Sequence, residues 1–509
     1  MTDTNLWDRR RLLRGAVLSG SSVLVSLGIG TILTPLLLRK LGTESFGLFA
    51  VLIAVTGYLQ LLEGGIGTST VRRLAAARAS GDELEVSRVI TNGLALNVTG
   101  AVLAGIATLV TAPFASDILG ASPERAGEAK LGFVVVGLGQ CFILVGTSWT
   151  ARTLAGGRAD LLARRGIVVT CLSSGAQILV LTSGGGLLQV VIVTTVTGVV
   201  AALAVIPVSR IALPGGGSAF SFLHGRTARH LISDGIRQTG VAIAGTFSTG
   251  LDPILISVLL GPAAVAPYAL ASRGLSLLRA VATRAVDTLL APFAGLQRLG
   301  DAERQYRLYR LATVGSGVLA VAGALPAVLF GSSLLQVWLG DHPSRTYGVL
   351  VALCLVLVVQ IPGHVAYVTL SARGDYSLIL RLATVAVPVN VALSAFFTKW
   401  LGPVGPAIGT LCVVCVADAY VLPRRVCQSL QRPVAPLLVD LARACLLPLL
   451  GVGAAAALLI WSLGAPVGLW SLTASAVCSV SELSASWLCV GAARRQELLG
   501  KSLRRNRLG

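Results

Sequence analysis

The chain has 509 residues, of which 54% are hydrophobic and only 12% charged, against about 25% charged in an ordinary soluble domain. That much apolar surface excludes a soluble fold. Apolar stretches of about twenty residues recur from end to end, each long enough to cross a hydrocarbon core of about 30 Å as a helix, and predict an all-α membrane protein. The formal charge of +19 does not mark a nucleic-acid partner, because the cations sit in short loops without a basic, aromatic-laced domain.

In chain order, Arg9, Arg10, Arg11 and Arg14 precede an apolar run from Gly15 to Leu38. It is longer than a signal-peptide core and lacks a small-residue cleavage site, so it reads as a retained first span. About 14 transmembrane helices are predicted. An N-lobe over 15-208 holds spans 15-38, 47-71, 89-112, 131-152, 166-185 and 187-208. A C-lobe over 231-424 holds spans 231-260, 266-295, 311-336, 348-372, 378-398 and 402-423. Two further helices, 443-463 and 467-492, follow. An even count places both termini on one side. With that side inside, most of the 41 Lys and Arg fall in inside segments, so the 1-14 segment, the 209-230 linker, the 425-442 loop and the basic 493-509 tail read as cytoplasmic. No loop is long enough for a folded catalytic module, so no enzyme activity and no catalytic residue are expected. The nine cysteines lie in or beside apolar segments, and without histidines or a second pair to complete a ligand set they predict neither disulfide nor metal site.

One internal repeat is visible. Leu41-Gly42 followed by Phe46, Gly47 and Phe49 aligns at a single offset with Leu260-Gly261 followed by Val265, Ala266 and Tyr268. Both copies fall in a short outside loop, as expected of two parallel six-helix repeats.

Ionisable groups at bilayer depth cost about 2.5 to 3.5 kcal/mol and so require a partner or a watery cavity. The eighth span is richest in them. Arg273, Ser276, Ala280, Arg284, Asp287 and Ala291 recur at three- and four-residue steps and share one stripe, while Arg279 points to another side. Structural pairing is one reading: Arg284 with Asp287 one turn on, and Asp252 with Arg273 at matching depth across the connecting loop. The preferred reading is a cavity lining that offers guanidinium groups to an anionic, phosphate-bearing substrate. Elsewhere, Glu63 lies in a glycine-rich Leu-Glu-Gly-Gly-Ile-Gly run, His364 follows Pro362 at an expected kink, and Asp234 and Arg237 form an i, i+3 pair near the inside end of span seven. Glu63, Asp252, Asp287 and His364 are candidates for coupling or gating.

The run Lys40-Leu-Gly-Thr-Glu-Ser-Phe-Gly-Leu-Phe49, then Leu62-Glu-Gly-Gly-Ile-Gly67 with Arg72, resembles the polysaccharide-exporter (Wzx-like) branch of the MOP flippase superfamily. So do Leu251-Asp-Pro-Ile-Leu-Ile-Ser-Val-Leu-Leu-Gly261, Tyr268-Ala-Leu-Ala-Ser-Arg273, Pro292, Trp338-Leu-Gly340 and Leu401-Gly-Pro-Val-Gly-Pro-Ala407, all in order over residues 15 to 424. The resemblance implies two six-helix lobes in parallel pseudo-twofold repeat around a cavity. By alternating access, a lipid-linked oligosaccharide would move from the inner to the outer leaflet of a bacterial cytoplasmic membrane. A cationic cavity lining carries over by position to Arg273 and Arg237; Arg279 and Arg284 come from the helical stripe. The added C-terminal pair is similar to that of lipid II flippases. No cofactor is expected, and a proton or sodium gradient is the expected energy source. Expected partners are the anionic lipid-linked glycan, membrane lipids and polysaccharide biosynthesis enzymes, with the chain a monomer. The alternatives are a MurJ-like lipid II flippase, a MATE-like cation/drug antiporter, whose cavity should be acidic, and a membrane glycosyltransferase.

Overall fold

The computed structural model describes residues 9–212, 224–340, 344–463, 471 and 473–486. Among the described residues every regular element is helical, and nine segments are long and apolar enough to cross a membrane. Two of these, Gly20–Glu63 with 44 residues and Ser377–Ser429 with 53, are each long enough for two crossings.

Packing divides the chain into two compact units, Met1–Ala269 and Leu270–Gly509. The first contains α1 (Arg9–Gln60), α2 (Ile66–Ser80), α3 (Glu83–Thr111), α4 (Ala115–Ile118), α5 (Ala126–Ala155), α6 (Ala159–Thr182), α7 (Leu187–Ala212), α8 (Gly225–Leu260) and the start of α9 (Val265–Asp287). Lipid offers helices no hydrophobic drive to associate, so close packing depends on small residues. At α5 that is visible on both sides. A Cβ on Gly137 would lie 2.2 Å from Thr108 of α3, and Cβ atoms on Gly146 and Gly156 would lie 2.7 Å from Ala202 and 2.6 Å from the Ala212 carbonyl of α7. α1 packs against α6, and α8 packs against α1, α2 and α3.

The second unit continues from α9 through α10 (Leu290–Arg298), α11 (Ala302–Leu329), α12 (Gly331–Leu339), α13 (Ser344–Ala372), α14 (Tyr376–Leu401) and α15 (Gly405–Val416). A π-helical turn, Ala417–Val421, leads into α16 (Leu422–Ser429), followed by α17 (Ala435–Leu463) and the helical residues 473–486. α14 and α15 cross where Cβ atoms on Gly405 and Gly409 would lie 2.3 and 2.6 Å from the Thr398 and Ser394 backbone nitrogens. The buried Asn390 amide donates to Thr410 there, at 3.0 Å. α17 is held to α11 by the Arg310–Asp440 ion pair and by a core of Val314, Val318, Val321, Ala444 and Cys445.

The repeat is far more extensive than the Leu-Gly match shows. Gly42 has φ 77 and ψ 168, Gly261 has φ 87 and ψ 163, a conformation only glycine adopts without strain. Further positive-φ glycines pair at the same near-constant separation of about 219 residues: Gly81 with Gly300, Gly120 with Gly340, Gly157 with Gly374, Gly184 with Gly402. Five equivalent turns thus divide each half into six helical segments. The second pair even shares its cap: Asp82 accepts from the Glu85 amide at the start of α3, and Asp301 from the Arg304 amide at the start of α11, each at 2.9 Å. Gly64 and Gly65, also at positive φ, have no counterpart in the second half.

In the added helices, Glu482 is buried and, among the described residues, neither its carboxylate oxygens nor the neighbouring Ser486 hydroxyl has a hydrogen-bond partner. A buried carboxyl left unsatisfied is destabilising. Glu482→Leu is therefore expected to raise the thermal unfolding midpoint of the detergent-solubilised protein by several degrees, from a gain of about 1–3 kcal/mol. An unchanged or lowered midpoint would show that the carboxyl is satisfied.

Candidate functional site

In the first unit the unwinding expected at Glu63 is present. α1 ends in a 3-10 turn, Leu61–Glu63, and Gly64 and Gly65 turn the chain left-handed before α2 begins at Ile66. A fresh helix start leaves unpaired N–H groups with a partial positive charge. Glu63 Oε1 accepts the Gly67 amide at 3.1 Å, so this acid caps α2. α8 crosses the break closely: a Cβ on Gly235 would lie 2.4 Å from the Gly64 carbonyl oxygen. One turn further along α2, the Ser69 hydroxyl lies 3.2 Å from the Leu231 carbonyl, and Arg72 and Arg73 reach Asp234 at 2.7 and 2.9 Å. Asp234 thus faces α2, which supplies two guanidinium groups, and its expected pairing with Arg237 lies outside the described residues. Arg237 lies on α8, but its side chain is outside the described residues.

Asp252, with 2% of its surface exposed, accepts a hydrogen bond from the Tyr268 hydroxyl within the first unit. Arg273, its expected partner, belongs to the second unit.

The second unit holds the arginine stripe. α9 buries Ala271, Leu275, Ala282 and Val286, which share one face by helical spacing. Arg273 and Arg284 lie about half a turn away from that face and are exposed. Within this unit and among the described residues, neither forms an ion pair. Ser276 is half-buried and donates to the Arg273 carbonyl at 2.6 Å, so its hydroxyl hydrogen is committed to its own helix. Arg279 is half-buried on a different side. The expected Arg284–Asp287 pair is absent. Asp287 instead meets His364 Nε2 of α13 at 2.8 Å, and His364 stacks on Tyr367 with ring centroids 5.5 Å apart. An i, i+3 pair on an exposed helix face is worth only a few tenths of a kcal/mol, so a partner from a packed neighbour prevails.

Asp418 was missed by sequence reasoning, although a carboxylate in the apolar run Val416-Ala-Asp-Ala-Tyr-Val421 is itself the signal. It stands on the π turn, where a Cβ on Gly363 would lie 2.3 Å from the Asp418 Cβ, so only glycine fits beside it on α13. Among the described residues no group of three His, Cys, Asp or Glu is placed to hold a metal ion.

Repeated six-segment halves, small-residue packing and an exposed arginine stripe define a multi-pass membrane transporter. The fold is that of two characterised transporter types. The lipid II flippase MurJ in its inward closed conformation superposes with a TM-score of 0.72 at 13% identity, over 95% of this chain and all of that one. An inward-facing multidrug resistance MATE family transporter of the MOP superfamily gives 0.66 at 16% identity, over 82% and 99%. Among curated proteins, the probable flippase AglR of Haloferax volcanii is 22% identical over 416 residues, 79% of this chain and 80% of its own length. The family model described as polysaccharide biosynthesis protein matches residues 12–293, more than half the chain, and the chain belongs to that family. The chain is thus a multi-pass membrane protein of the polysaccharide biosynthesis family with a transporter fold.

Proposed function

We propose that the chain carries a polyprenyl-pyrophosphate-linked oligosaccharide from the inner to the outer leaflet by alternating access, in a bacterial cytoplasmic membrane crossed about fourteen times, with both termini cytoplasmic. The observation that carries this reading is the α9 stripe, where Arg273 and Arg284 are exposed, sit on one face and have no carboxylate partner among the described residues of their unit. A guanidinium presents a fixed fork of donors that matches phosphate oxygens, and charge-assisted bonds to it are about twice as strong as neutral ones. A carrier of organic cations would need the opposite sign on such a face, which argues against the drug-antiporter reading. MurJ acts on lipid II, and the fold likeness extends over most of this chain, so peptidoglycan precursor is the second reading among anionic lipids. Arg279 and Arg237 remain proposed contributors to pyrophosphate binding, and Glu63 and Asp252 proposed gating residues.

Binding separates these readings. The purified protein in nanodiscs should bind a short-chain polyprenyl-pyrophosphate sugar, be competed by free pyrophosphate-linked lipid, and ignore a cationic dye. Saturable dye binding without lipid binding would replace this reading with the antiporter.

A further inference from the structure

The second unit contains three ionisable groups that an arginine-lined substrate path does not use: Asp287, His364 and Asp418. They come from three elements that converge on the Pro362–Gly363–His364 segment of α13. Pro362 removes a backbone hydrogen bond there. Gly363 lets the π turn approach so closely that Asp418 lies against α13, and π turns inside α-helices concentrate at functional positions. Beside it, His364 Nε2 and the Asp287 carboxylate are 2.8 Å apart, with the side chains 25% and 48% exposed.

Other charges are distant from this level of α13. Arg373, which binds Gln297 at 2.6 Å and Gln305 at 3.0 Å, lies nine residues on, about 13 Å along the helix. α11 carries no charged residue from Ala312 to Leu329, and its cytoplasmic end holds Glu303, Arg304, Arg307, Arg310 and the buried Tyr309. α10 contributes only Arg298, α16 Arg424, Arg425 and Cys427, and α17 Asp440, Arg443 and Cys445, whose sulfur and the Pro362 ring flank Gly317. α14 contributes Tyr376, Arg381 and Lys399, α15 Cys412 and Cys415, the π turn Tyr420, and α12 nothing ionisable. On α9 itself the nearest charge is Arg284, one turn from Asp287. The groups meeting His364 are therefore Asp287 and its stacked neighbour Tyr367, with Asp418 against Gly363 and Cys445 near Pro362.

We infer that His364 and Asp287 form a proton-binding site that ties the C-terminal end of α9 to the proline-interrupted segment of α13, against which Asp418 is packed. The proton comes from water and returns to it; no covalent step is involved. With His364 neutral, a single ordinary hydrogen bond joins the two helices. With the imidazole protonated, the bond becomes an ion pair between imidazolium and carboxylate, and the tie tightens. Proton occupancy thereby sets how firmly the end of the arginine-bearing helix is held. The proton site stands on the geometry of the second unit alone; its use to drive lipid movement rests on the transport reading.

Hydrogen exchange of the substrate-free protein in nanodiscs tests the site without invoking transport. After correction for intrinsic exchange chemistry, amides around residues 284–290 should exchange about three- to tenfold more slowly near pH 6 than near pH 8. His364→Gln and Asp287→Asn should each abolish that difference. An equal pH difference in His364→Gln would overturn the proposal, as would no difference in the wild type. A flipping assay on the same preparations distinguishes the two claims: intact exchange behaviour without lipid movement leaves the proton site standing and removes the transport reading.

Discussion

Replacing Arg273 and Arg284 together by alanine is expected to slow movement of a pyrophosphate-linked lipid by about a hundredfold or more, with the protein inserted and folded as before. The magnitude follows from the chemistry. A hydrogen bond to a charged group contributes about 1.5–3 kcal/mol, and 1.4 kcal/mol is a factor of ten, so two guanidinium contacts are worth at least about a hundredfold. Folding should be spared because both side chains are exposed and neither holds a carboxylate in its unit; no buried charge is stranded by their removal. Arg→Lys at both positions keeps the charge but loses the fork of donors, so it should give intermediate rates. Leaflet exchange measured in proteoliposomes checks all three variants against the wild type. Wild-type rates in the double alanine variant would make the stripe structural.

Gly47→Ala is expected to cost about 2–4 kcal/mol and to be visible as poor expression and a sharply lowered unfolding temperature. A Cβ there would lie 1.8 Å from the Pro262 carbonyl oxygen. The obstacle is backbone, not the end of a pliable side chain, so the outer part of α1 must back away from the Pro262–Ala264 turn. That shift would disturb Phe46, Leu48, Val51 and Leu52, all buried. Gly57, in the same helix, has nothing within 4 Å of its Cβ direction. Gly57→Ala should therefore be neutral or slightly stabilising, since alanine gains up to about 1 kcal/mol over glycine inside a helix. Thermal unfolding of the two variants side by side separates local crowding from a general intolerance of substitution in α1.

Much of the fold was legible because lipid imposes a long apolar helix on any crossing segment. The repeat was legible only at Leu41-Gly42 and Leu260-Gly261. With 58 glycines in the chain, composition cannot tell the turn glycines, which need positive φ, from those that let helices approach. Only backbone conformation picks out Gly81 with Gly300, or Gly157 with Gly374. Helical periodicity placed Arg273, Ser276 and Arg284 on one face correctly, since that is a property of a single helix. Partner choice is different. Asp234 meets two arginines of α2, and Asp287 meets His364 of α13 rather than Arg284 one turn away on its own helix, because packing between helices decides which groups meet. Asp418 escaped for a related reason: a π turn inserts extra backbone into the helix, so the angular arithmetic that located the α9 stripe does not carry through it.

The central claim is movement of an anionic, phosphate-bearing lipid between leaflets, and reconstituted liposomes measure it directly. A polyprenyl-pyrophosphate oligosaccharide with a fluorescent sugar, loaded in both leaflets, should become fully accessible to an external membrane-impermeant quencher when wild-type protein is present. About half should remain protected in protein-free liposomes, whose two leaflets share it equally. A neutral glycolipid with the same sugar should stay protected with or without protein. Full protection of the pyrophosphate-linked lipid in the inner leaflet, alongside active extrusion of a cationic dye from the same vesicles, would contradict the account.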